Sequence, residues 1–166
     1  DGCAHHVAFN EDGSLVALAQ RPAHHALETW CVEVPHSQPH LVLSGADDCC
    51  LLGWDLREPP DAAPALANRR AHEAGVTALA CDPTDPNCVA SGSYDERVRL
   101  FDLRAAARTP LAESDRLGDG AYHLAWHPAW PRTLAVAAMR SGLPVLAVAQ
   151  SGSAFEEWGR YAAEAP

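Results

Sequence analysis

A chain of 166 residues that is 48% hydrophobic can bury an ordinary core and is too apolar to be disordered. Its 22 acidic residues outnumber 12 basic ones, all of them Arg, for a formal charge of −10; with no basic face to meet phosphates, a nucleic-acid partner is excluded, and the charge suits a cationic protein or ligand, or plain solubility. None of the six cysteines forms a C-x-x-C pair and Cys49-Cys50 are adjacent, so reduced thiols and a cytoplasmic location are expected, with no export leader and no apolar run near the ~18 residues of a membrane span.

In chain order, residues 1–20 hold a fragment, "DGSLVAL" from Asp12 to Leu18, with the frame Asp-x-x-aliphatic-x-x-bulky. The same frame recurs at Asp48-Leu51-Trp54 and at Asp95-Val98-Phe101. Residues 21–70 form the first full unit. His25, Ser44, Asp48, Trp54 and Asp55 are matched 47 residues later by His72, Ser91, Asp95, Phe101 and Asp102 in the unit 71–115. Residues 116–150 repeat at a spacing of 45, with Gly120 for Gly75 and "LAVAAMR" for "VASGSYD".

Within 71–115, "VTALACD" alternates Val76, Ala78 and Ala80 against Thr77, Leu79 and Cys81; "CVASGS" and "VRLFDL" follow, with Pro, Asn and Asp as turn chemistry between them. The spacing predicts strands over Val76–Cys81, Cys88–Ser93 and Val98–Leu103 in one sheet. Short strands at a period near 45 mean an all-β propeller built of blades. Three blades and a fragment are present, fewer than the ~4–8 of a closed ring, so an incomplete set is expected. The tail, residues 151–166, has the helix-favouring composition "FEEWGRYAAEA".

The order His, then Ser-Gly-x-x-Asp, then Trp-Asp resembles the WD40 repeat. The resemblance implies that His25, Ser44, Asp48 and Trp54 form one buried hydrogen-bonded set. His72, Ser91 and Asp95 form a second, in which Phe101 stands for Trp without its N–H donor. A turn Asp accepting hydrogen bonds pins a strand connection, and a buried His needs such a partner; Ser44, Asp48, Ser91 and Asp95 are therefore read as structural.

"HALETW", "SGADDCCLLGWDLR", "SGSYDERVRLFDLR", "GAYHLAWHP" and "MRSG" follow in one order over roughly residues 20–146. Together they are similar to the WD-repeat diphthine methyl ester hydrolase family of diphthamide biosynthesis, with Ala121-Tyr122-His123 standing where that family has a Trp-Arg pair. The resemblance implies hydrolysis of the methyl ester of a modified histidine on elongation factor 2, which would be the partner together with other proteins of that pathway. It implies no cofactor, no metal and no membrane.

Such chemistry needs water, a base and donors for the oxyanion. There is no G-x-S-x-G elbow, which argues against a serine nucleophile. His25 and Glu28, three residues apart, could be a base and its orienting carboxylate; the structural alternative is that His25 is only the blade's buried histidine. Trp30 beside Glu28 could receive the substrate's quaternary ammonium by cation–π attraction, or could be strand core. His123 and His127 share a strand face but lack a third metal ligand. The competing function is a non-catalytic WD40 adaptor, since a propeller does not imply chemistry; an inactive fragment is the third.

Overall fold

The computed structural model describes residues 7–9, 15–17, 25–59, 61–105, 107–138, 143–148 and 154–161. The turn residues cut the chain into short extended runs, and within each sheet every run pairs with the one before it. A hairpin comes first, β1 (Val7–Phe9) against β2 (Leu15–Ala17). Three four-stranded antiparallel sheets follow, each in simple up-and-down order. The first comprises β3 (Thr29–Glu33), β4 (Leu41–Ala46), β5 (Leu51–Asp55) and β6 (Leu66–Asn68). The second comprises β7 (Val76–Cys81), β8 (Cys88–Ser93), β9 (Val98–Asp102) and β10 (Pro110–Glu113). The third comprises β11 (Ala121–Trp126), β12 (Thr133–Ala138), β13 (Leu143–Val148) and β14 (Phe155–Tyr161). The three sheets are the blades of a partial β-propeller.

In the second blade the strands fall where the alternation places them, except that the third stops at Asp102 and Leu103 opens a single 3-10 turn. The tail differs more. The segment with helix-favouring composition is strand β14, in register with β13 from Val148↔Phe155 to Leu143↔Tyr161. A free sheet edge offers a ladder of backbone partners, and that context outweighs a weak helical preference. Phe155 also packs against the blade core. The third sheet therefore runs past residue 150, where the sequence reading ended that unit.

The cores lie between blades. Leu43, Leu51, Val76, Val89 and Phe101 form one buried cluster shared by the first and second blades; Val98, Leu100, Leu124, Leu134 and Val136 form another shared by the second and third. The first strands of successive blades, β3, β7 and β11, pack side by side. Polar links cross the same seams. The Thr77 hydroxyl donates to the Ala121 carbonyl, the Trp126 indole N–H donates to Ala80 O at 3.0 Å, and the Asn68 amide donates to Ala107 O at 2.7 Å.

The repeated Ser-Gly can now be explained residue by residue. Ser44 and Ser91 face the blade's histidine, as described below. Gly45 and Gly92 face the next blade's first strand. A Cβ on Gly92 would lie 2.8 Å from Ala121 Cβ and 3.0 Å from Ala121 O, too close to stand without movement of the β11 backbone. Gly92→Ala should therefore cost about 1–3 kcal/mol, the range for overpacking a filled seam. A denaturant midpoint unchanged by the substitution would show that β8 and β11 are not held this close in solution.

Candidate functional site

Each of the first two blades carries a polar relay inside its sheet. In the first, Trp54 Nε1–H donates to Ser44 Oγ at 2.8 Å, and Ser44 Oγ lies 2.9 Å from His25 Nε2. His25 Nδ1 is 3.0 Å from Asp48 Oδ1, and Asp48 also accepts the Ala26 and Cys50 backbone N–H groups. With Nδ1–H given to the carboxylate, Nε2 accepts from the serine hydroxyl, and every proton has a partner. The second blade repeats His72, Ser91 and Asp95 at 2.7 Å and 2.9 Å. Phe101, fully buried, fills the Trp54 position without a donor. Arg99 supplies a different one: its Nη1 donates to Asp95 Oδ2 at 3.2 Å and to Ala71 O at 2.8 Å, and its Nε donates to Glu113. Sequence reasoning missed Arg99; the signal was a cation at the register position held by Leu52 in the first blade. The third blade drops the relay and puts Leu117 and Val136, both buried, at the histidine and serine positions.

Burial holds His72 and His25 below the ordinary imidazole value of 6.5, outweighing the Asp95 and Asp48 carboxylates that pull the other way. Both carboxylates in turn lie below the ordinary aspartate value through their hydrogen bonds and histidine partners, although desolvation opposes this. The signs follow by linkage. A histidine whose folded pKa is depressed takes up protons more readily when unfolded, so its stabilisation is present above pH 6.5 and is lost as pH falls below that value. The depressed aspartates add a second loss further down, below the ordinary carboxylate range. The unfolding midpoint should decline in two stages on acidification, the first beginning near pH 6.5. An NMR titration in which His72 protonates above that value would reverse the first sign.

The expected pairing of His25 with Glu28 is not formed. His25 is buried with both ring nitrogens engaged inward, whereas Glu28 is exposed. Glu28 and Trp30 instead share a surface with residues of the neighbouring blades. Glu28 occupies the position that Gly75 and Gly120 hold in the second and third blades, just before the first strand. Its carbonyl accepts the Asp47 N–H at 2.9 Å, as the Gly75 carbonyl accepts the Tyr94 N–H at 3.1 Å. Trp30, on β3, is 45% exposed and Tyr94, in the β8–β9 turn, is 39% exposed. Their rings lie 6.2 Å apart at 88°, and Tyr94 meets Tyr122 of β11 at 5.5 Å and 76°. Three blades thus contribute one row of rings. Asp47 Oδ1 and Tyr94 Cδ2 border the same bare Gly75; among the described residues neither Asp47 nor the exposed Glu28 has an ion-pair partner, while Arg116 lies 3.9 Å from Glu73 and 3.8 Å from Glu96.

Other candidates resolve differently. Burial pushes the Cys31, Cys50 and Cys88 thiols up to about 12, and Cys81 higher still, so none supplies a thiolate. His25, Asp48 and Cys50 bring one ligand atom each within 4.8 Å of one another. His25 and Asp48 already hold hydrogen bonds to each other and to Ser44, Ala26 and Cys50 N, and the Cys50 thiol donates to Asp48 O at 3.3 Å. His123 is exposed, while His127 stacks on Trp130 at 4.4 Å and accepts two backbone N–H groups through Nδ1. Among the described residues no helix is long and apolar enough to cross a membrane.

Comparison with known proteins agrees with this geometry. The family model "WD domain, G-beta repeat" matches residues 65–102. The chain is 38% identical over 146 residues to diphthine methyltransferase of Mus musculus, covering 87% of this chain and 29% of that protein. It is 33% identical to the diphthine methyltransferase homolog of Dictyostelium discoideum, covering 82% of this chain and 39% of that one. A chain in the crystal structure of the mitotic checkpoint complex superposes with a TM-score of 0.71 at 19% identity, covering 84% of this chain and 41% of that chain. That likeness concerns the fold alone. The chain spans less than half the length of the relatives it matches.

Proposed function

Because the chain belongs to the WD40-repeat diphthine methyltransferase family, of whose members it spans about a third, we propose that the protein hydrolyses the methyl ester of methylated diphthine on elongation factor 2. In this reading Glu28 takes a proton from water, and the resulting hydroxide attacks the ester carbonyl carbon. The bond from that carbon to the methoxy oxygen then breaks, and the proton held by Glu28 leaves with methoxide as methanol. The product acid then releases its proton to solvent and is left as the carboxylate. Trp30 binds the substrate's quaternary ammonium, and His25 holds the blade loop that carries both. The step needs water, a base and donors for the carbonyl oxyanion, and the scheme calls on no metal or cofactor.

The observation that carries the reading is the exposed Glu28 and Trp30 on one face. Neither side chain belongs to the blade's polar set, which is complete without them. Loops and strand ends on a rigid scaffold are where sites usually sit. The acidic surface also suits a cationic substrate.

The test is mass spectrometry of elongation factor 2 bearing the diphthine ester, incubated with the intact protein. Loss of one methyl, with methanol released, is the expected result. Gain of a methyl would replace hydrolysis by the methyl transfer that the relatives' name describes. Tight binding of elongation factor 2 with the ester untouched would favour the adaptor reading instead.

A further inference from the structure

We propose that Tyr94 and Tyr122, together with Trp30 and the Asp47 carboxylate, form a receptor for a quaternary ammonium group, with Tyr94 at its centre. The inference rests on the reading above only for the source of that group. Its physical case is independent. An aromatic face attracts a cation through its quadrupole, and a row of rings in edge contact sets several such rings at one place. The ring planes here differ by 88° and 76° at centroid separations of 6.2 Å and 5.5 Å.

Tyr94 is seated by two missing side chains. A Cβ on Gly75 would come within 3.3 Å of Tyr94 Cδ2 and 2.5 Å of Asp47 Oδ1. A Cβ on Gly120 would come within 3.2 Å of Tyr94 Cδ1 and 3.4 Å of Tyr122 Cε2. The two glycines thus make room for the ring and for the carboxylate at the same spot. Partial burial, Tyr122 and the Asp47 charge together keep the Tyr94 phenol above its ordinary value, so the ring stays neutral. Exposed aromatics on a chain of net charge −10 are what a cation with no hydrogen to donate requires. A primary ammonium keeps its water and would favour a carboxylate alone, whereas a trimethylated one is weakly hydrated and prefers ring faces.

The test uses choline and its neutral isostere 3,3-dimethylbutan-1-ol, neither of which carries an ester. Titration of the full chain, followed by NMR shifts and tryptophan fluorescence, should show choline moving Trp30, Tyr94 and Tyr122 signals, with the isostere at least about tenfold weaker. Tyr94→Ala should weaken choline binding about tenfold and Tyr94→Phe should leave it intact, with unchanged unfolding midpoints in both. Asp47→Asn should weaken choline and not the isostere. Equal binding of the two probes would overturn the proposal, leaving only an apolar patch. So would choline shifts that avoid these rings, or full binding by Tyr94→Ala. Ester hydrolysis without choline binding removes this inference and leaves the proposed function; choline binding without hydrolysis does the reverse.

Discussion

Glu28→Gln in the intact protein should slow the proposed hydrolysis of the elongation factor 2 ester by about 10²–10⁴, the usual contribution of a positioned general base. The substitution keeps the side chain's shape and removes its ability to take a proton. Glu28 is exposed, and its carboxylate has no hydrogen bond or ion pair among the described residues, so the fold should not register the change. Single-turnover kinetics should place the loss in the chemical step, with substrate affinity nearly kept. His25→Asn should behave in the opposite way. It breaks the relay to Ser44 and Asp48, lowering the melting temperature and reducing activity only as far as folded protein is lost. Normal methyl loss by Glu28→Gln at equal protein levels would remove this carboxylate from the mechanism.

Asp95→Ala should destabilise the protein by about 3–5 kcal/mol, the cost of leaving a buried charge without its partner. The Asp95 side chain is 3% exposed. It accepts His72 Nδ1–H at 2.9 Å, the backbone N–H groups of Glu73 and Arg97 at 3.0 and 3.1 Å, and Arg99 Nη1–H at 3.2 Å. Removing it strands the Arg99 guanidinium, 10% exposed, with Glu113 as its remaining carboxylate. Asp48→Ala makes the internal control, because Leu52 takes the arginine's place in that blade and only neutral donors lose their acceptor. Its cost should be nearer 1–3 kcal/mol. Adding Arg99→Leu to Asp95→Ala should then recover part of the loss. Chemical denaturation of the four proteins decides the matter, and equal costs for the two aspartates would refute the stranded-charge account.

How far these features could be read from the sequence depended on how locally they are encoded. Ser44, Asp48 and Trp54 recur at a fixed spacing as Ser91, Asp95 and Phe101 because the first and second blades each meet a buried histidine, and repetition makes such a demand visible. Strand β14 was hidden, since its composition leans one way and only the open edge of β13 decides the other. The pairing of His25 with Glu28 was inferred from adjacency, yet the histidine's partner lies 23 residues away across a turn. Arg99 was visible as a cation on a strand, but its role follows only once Phe101 is seen to lack the donor that Trp54 has. The Tyr94 contacts with Trp30 and Tyr122 join three separate sheets, and no local pattern encodes a meeting of that kind.

That last arrangement has a thermodynamic consequence. Trp30, Tyr94 and Tyr122 each belong to a different blade, so the row exists only while all three blades are docked. A cation bound there favours the docked assembly over any state in which one blade has swung away, and does so by mass action. At a hundredfold excess over its dissociation constant the gain is about 2.7 kcal/mol. Recognition of the ligand and cohesion of the propeller are then one equilibrium: whatever loosens the seams weakens capture, and whatever is captured slows the opening of the seams.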